Sequence, residues 1–163
     1  ADNTPLRYLI LLHYASLLPT LFGRILIPQG VFEELTHAHA PEPVRTWCMA
    51  APSWLDIRQV TGAPDSELAA LERGEQEAIL LAQELHADTL LVDDGAARNT
   101  ATRRALPIMG TVGVLELAAD RELVDLPTAL KQLQATNFRI SQAVVEASLL
   151  RATRKRQPPR EAP

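Results

Sequence analysis

Short strand-like runs separated by amphipathic helical stretches leave this chain few ways to fold. The runs are RILIP (24–28), WLDIRQV (54–60), TLLVD (89–93) and LPIMG (106–110). All but the second, which alternates imperfectly, are apolar nearly throughout, as strands buried on both faces must be. Between and around them, residues 5–12, 16–22, 29–38, 44–50, 65–72, 74–86, 95–105, 112–120, 127–136 and 141–155 read as helices. Strands alternating with helices bury both partners only when helices cover the two faces of a parallel sheet. The expected fold is therefore α/β, a three-layer α/β/α sandwich around a central parallel sheet.

The chain of 163 residues, 47% of them hydrophobic, is sized for one such domain, expected over residues 1–150. A single cysteine, Cys48, excludes an internal disulfide and a thiolate metal site, and is expected to be buried. No apolar run approaches the roughly 20 residues that cross a bilayer, and the sequence opens without a basic secretory leader, so a cytoplasmic location is expected. Asp2 stands where an α/β chain leaves its first strand with almost no strand residues ahead of it, so the central strand is expected to be truncated. The net charge is −4, but RATRKRQPPREAP (151–163) holds five basic residues and one acidic, leaving residues 1–150 at −8. The end of the chain is expected to be a basic, flexible tail, either meeting phosphates or simply solvated.

Ligands of open parallel sheets bind outside the carboxyl ends of the strands. Asp2, Asp93 and Asp94 all stand at such ends. Helical geometry adds two more carboxylates. In QGVFEELTHA, Glu34 lies about 60° from the inward Val31 and Glu33 about 160° away; in GEQEAILLAQEL, Glu75 lies within about 50° of the apolar arc and Glu77 more than about 100° off it. Each acidic residue also has a plain structural reading: Asp94 as an N-cap, Glu75 as a partner of the helix dipole, Asp2 as a turn residue, Glu34 as a half-buried glutamate. Taken together, carboxylates gathered without a counter-charge would repel, and a divalent cation removes the repulsion. Oxygen-only ligands select Mg²⁺ or Mn²⁺, ions that share their shell with phosphate oxygens.

At these residues the sequence resembles the PIN-domain nucleases, in a branch similar to the VapC-like toxins. The resembling stretches are DNTPLRYL, ILIPQGVFEEL, LERGEQEAILLAQEL, LLVDDGAARNTA and LPIMGTVGVLELA, in that order from Asp2 to about Ala118, with LKQLQATNFRISQAVVEASL fitting beyond them. The resemblance implies that Asp2, Glu34 and Glu75 are catalytic metal ligands, with the fourth supplied by Asp93 or Asp94. Many PIN domains end this strand with Thr, a variable residue and Asp, and VDD stands here instead, so which aspartate faces the metal is open. Thr4 matches a small hydroxyl position beside the site. Arg98 is read either as a contact to RNA phosphate or the partner, or as the i, i+4 partner of Asp94.

The chemistry this implies is Mg²⁺- or Mn²⁺-dependent hydrolysis of RNA phosphodiester bonds, with Arg98, Arg103, Arg104 and the tail as candidate backbone contacts; Arg103 and Arg104 also read as a solvated helix end that favours the dipole. A small antitoxin protein and a homodimer are expected partners. The alternative is an inactive PIN-fold module that binds RNA or protein. A phosphoacceptor receiver domain also carries an acidic pair after a strand, but near its N-terminus, and only Lys131 and Lys155 follow the pair here. His37 and His39 are two apart, poor spacing for one helical face, and are expected to be solvated; His13 and His86 are expected to be structural; Trp47 and Trp54 are expected to pack under the proline-rich loop, with antitoxin binding as the alternative.

Overall fold

The computed structural model describes residues 1–156; residues 157–163 lie outside the described part. The chain divides into two compact units, the first spanning Ala1–Thr111 and the second beginning at Val112. Most of the predicted elements appear within a residue or two of their expected limits.

In the first unit, α1 (Asn3–Leu11) and α2 (Leu17–Phe22) lead into β1 (Ile25–Pro28). Pro28, which has no N–H to donate, closes the strand and opens α3 (Gln29–Thr36). Then come α4 (Glu42–Met49), β2 (Leu55–Arg58), a 3-10 turn at Leu68–Ala70, α5 (Arg73–Glu84), β3 (Leu90–Leu91), α6 (Gly95–Arg103) and β4 (Ile108–Met109). All strand pairing is parallel, β1 with β2 from Ile25 opposite Leu55 to Pro28 opposite Arg58, and β3 with β4. The fold is thus α/β, as expected.

The strands are shorter than the sequence suggests and form two ribbons of two strands each. Ala1 and Asp2 stand between the ribbons. The amine of Ala1 donates to the Leu26 carbonyl at 2.5 Å, and the Asp2 N–H donates to the Leu91 carbonyl at 2.9 Å. This short piece of extended chain gives the order β2, β1, residues 1–2, β3, β4. Next to it a groove of about 620 Å³ separates the facing edges of β1 and β3, lined by Leu21, Ile25, Leu26, Leu81, Leu90 and Leu91 among others.

The strand ends are held in place by a core of Leu68, Ala78, Ile79, Ala82, Leu90, Val92, Ala97 and Ala101. Helix α5 contributes Ala78, Ile79 and Ala82 from one face, the i, i+3, i+4 spacing that the sequence displays. His13 and His86 both adopt positive φ just past α1 and α5, so they serve as helix terminators. Cys48 is buried, and the rings of Trp47 and Trp54 lie 5.7 Å apart at 52°.

In the second unit, α7 (Thr111–Asp120) continues from Val112, followed by α8 (Leu126–Gln134) and α9 (Gln142–Arg156). Asp125 caps α8 by accepting from the Thr128 N–H at 3.1 Å, with Pro127 in the first turn. Residues 151–156, expected to begin a flexible tail, instead complete α9. Arg151 pairs with Glu116, and Lys155 with Asp120, so the basic run begins as an ion-paired helix end. The rest of that expected tail lies outside the described residues.

Candidate active site

Asp2 enters the site as the residue before α1, in extended backbone, the residue as a whole only 2% exposed. Burial raises its pKa from 3.8 to about 6; the backbone N–H groups of Asn3 and Thr4 and the amine of Ala1 oppose the shift, while Glu34 adds to it. Thr4 therefore sits beside the carboxylate through its backbone. Burial also lowers the amine of Ala1 to about 6, against the attraction of Asp2.

Glu34 and Glu75 are placed by two neighbouring helices that grip one another. Glu34 of α3 accepts from the Gly74 N–H of α5 at 3.0 Å, and Glu77 of α5 accepts from the Gly30 N–H of α3 at 2.8 Å. Each glycine leaves room for the carboxylate opposite. A Cβ on Gly74 would come within 2.5 Å of Glu34 Oε1, and one on Gly30 within 2.6 Å of Glu77 Oε2. The second oxygen of Glu34 accepts from the Asn3 side-chain amide at 3.0 Å, which ties α1 into the same arrangement. Glu75 forms a capping box with Glu72, its carboxylate accepting from the Glu72 N–H at 3.1 Å.

The two aspartates after β3 part company. Asp94 is exposed and caps α6, accepting from Ala96 N–H at 2.7 Å and Ala97 N–H at 3.0 Å. Asp93 turns towards β4, accepting from the Thr111 N–H at 2.8 Å and the Thr111 hydroxyl at 2.5 Å. Burial raises the pKa of Asp93, and Thr111 and Arg98 oppose the shift. Asp94 instead faces Glu75. The pKa of Glu75 is raised from 4.5 to about 7, chiefly by burial, with the Glu72 N–H opposing and the charges of Asp94, Asp2 and Glu72 adding to it. Mutual repulsion thus links Glu34 to Asp2, Asp2 to Glu75, and Glu75 to Asp94.

Across this framework the sequence matches a family model described as a PIN domain over residues 1–154. The chain belongs to the PIN-domain family. Comparison with curated proteins and with solved structures gives no significant match. PIN domains are generally nucleases, and PIN nucleases typically use divalent metals.

The donors of this PIN domain suit a hard cation: they are carboxylate oxygens, one of them on a buried group that burial biases towards protonation. As the side chains stand, no group of three or more His, Cys, Asp or Glu among the described residues closes on a common metal position. Glu34, Glu75 and Asp94 each accept instead from backbone N–H groups.

The basic residues differ from expectation. Arg104 is spent on Asp65, Glu67 and Gln83, and Arg103 on Glu67, so both pin the end of α6 to residues 65–67 and neither is a free phosphate contact. Among the described ion pairs none joins Arg98 to Asp94; Arg98 donates to the Val92 carbonyl at 3.0 Å and stands against Asp93. Sequence reasoning missed Asn3, Thr111, Glu77 and the glycines Gly30 and Gly74. The last three had a signal: each glycine stands in the first turn of its helix with a glutamate three or four residues on.

Proposed function

We propose that this protein is a divalent-metal-dependent ribonuclease that hydrolyses RNA phosphodiester bonds, and that it acts as the toxin of a toxin–antitoxin pair. The observation that carries the nuclease reading is the chain of mutually repelling carboxylates from four separate elements: Asp2 ahead of α1, Glu34 of α3, Glu75 of α5 and Asp94 after β3. These four are proposed to hold Mg²⁺ or Mn²⁺. Asp93, occupied by Thr111, positions the strand end beneath them. A bound ion would supply charge stabilisation at phosphorus and a water of lowered pKa. The chain's own part is to present carboxylate oxygens, and burial raises two of these groups, Asp2 to about 6 and Glu75 to about 7, so that those two would give up protons to a bound cation. Thr4 borders the buried carboxylate, and Arg98 supports the Asp93 side of the site.

Membership of the PIN family supports nuclease activity, and the sequence's likeness to VapC-like toxins supports RNA as substrate, a small antitoxin that covers the acidic cleft, and a homodimer. The deciding experiment incubates the full chain and its Asp2→Asn and Glu75→Gln variants with labelled RNA, with Mn²⁺ and with chelator. Metal-dependent cleavage by the parent, lowered at least 100-fold in both variants, is the expected result; a loss of that size corresponds to about 2.7 kcal/mol of transition-state stabilisation. No cleavage under any condition, with RNA still bound, would favour the inactive binding module.

A further inference from the structure

Beside Glu34 lies a second cavity, of about 370 Å³, walled chiefly by α1, α3 and the turn after it. Its lining includes Asn3, Arg7, Glu33, Glu34, His37 and His39, so it shares Asn3 and Glu34 with the acidic end. From this cavity we infer a subsite for the ribonucleotide that adjoins the scissile phosphate, an inference that rests on the nuclease reading above.

Among the described residues three buried side-chain polar atoms have no hydrogen-bond partner, Asn3 Oδ1, Arg7 Nε and Ser148 Oγ, and the first two belong to residues of this wall. They are four residues apart on α1 and face the same way. The bond from Asn3 Nδ2 to Glu34 fixes which end of that amide is oxygen. The wall therefore holds, just beneath its surface, an unmet acceptor and an unmet cationic donor, and an orphaned buried polar group costs free energy that a ligand drawing the two side chains outward would recover. A ribonucleotide supplies both partners, a 2′-hydroxyl to donate to Asn3 Oδ1 and a phosphodiester to accept from Arg7.

The other charges leave Arg7 this role. Arg73 is committed to Glu33 at 2.9 Å and to Glu77 at 2.7 Å, which also neutralises Glu33 on the cavity wall. Arg45 donates to the Ala38 and Ala40 carbonyls and so holds the turn carrying the histidines. The rings of exposed His37 and His39 lie 4.8 Å apart and tilted, forming a face on which a base can stack. The expected occupant is one nucleotide of single-stranded RNA, phosphate on Arg7, ribose on Asn3, base on the histidines.

The test measures binding of a fluorescent single-stranded RNA to the full chain without divalent metal, and separately maps its cleavage with Mn²⁺. Arg7→Ala is expected to weaken binding roughly tenfold or more and to lower the salt dependence by about one ion. Arg7→Lys should restore part of the affinity. RNAs carrying a single 2′-deoxy substitution require no change to the protein, and one position beside the cut should bind less tightly than the rest. The His37→Ala/His39→Ala double variant should change which nucleotide is preferred there. If the parent cleaves RNA but Arg7→Ala, confirmed as folded by its melting temperature, binds it unchanged, and no deoxy position matters, the subsite is overturned while the nuclease reading stands. If the parent neither binds nor cleaves RNA, the nuclease reading itself fails. Binding of an acidic peptide that displaces no RNA would assign the cavity to a protein partner and overturn the inference.

Discussion

Asp2 is the residue at which stability and the proposed chemistry pull apart. Its pKa, raised by burial to about 6, means that the metal-free fold gains from protonation: this stabilising contribution is full below the unfolded value near 4 and is lost as pH rises through 6. An Asp2→Asn variant escapes that loss. In chelator it should melt above the parent at pH 8, with the gap closing towards pH 5; a gap that is the same at both pH values would show that the carboxylate is not held as described. Gly74→Ala probes Glu34 without altering any titratable group, because the new Cβ would meet the Glu34 carboxylate at 2.5 Å and must displace it. RNA cleavage is expected to fall at least tenfold while circular dichroism stays that of the parent. Unchanged activity would show that Glu34 need not occupy this position. The inward direction of Glu34 and Glu75 was legible in the sequence because a helix turns by a fixed angle per residue. That Asp93 bonds Thr111, leaving Asp94 towards Glu75, was not legible, since it joins residues eighteen positions apart and depends on how β3 and β4 align.

At the scale of elements, helices were read well and strands only as places. The periodicity of α5 names its buried face directly, and Ile79, fully buried in that face, is expected to cost about 2–5 kcal/mol when replaced by alanine, measured by denaturant unfolding. The strands were overestimated because an apolar run signals burial, while ladder length depends on a partner strand. Here the facing edges of β1 and β3 meet only Ala1 and Asp2, through one hydrogen bond each. Extending the chain ahead of Ala1 by Val-Ile-Val should therefore fill the groove, join the two ribbons and raise the melting temperature by about 2–4 °C for each kcal/mol gained. The same extension with proline at its centre, lacking an N–H, should gain much less. Equal melting of both extensions would show that the groove does not accept a strand.

Within the first unit, Arg103 and Arg104 each have acidic partners, whereas Asp2, Glu75 and Asp94 repel one another. A protein built this way should respond to divalent cations out of proportion to its net charge of −4. Cation affinity should rise between about pH 5.5 and 7.5, as Asp2 and Glu75 release protons, both acting in one direction. The most direct test is calorimetric titration of the metal-free chain with Mn²⁺ at pH 7.5, repeated on Asp2→Asn, Glu75→Gln and Asp94→Asn, the last of which preserves the helix cap. Saturable uptake by the parent, weakened at least tenfold in each variant, is the predicted result. Uptake equal in all four proteins, or absent from the parent, would contradict the claim that these carboxylates form one cation site.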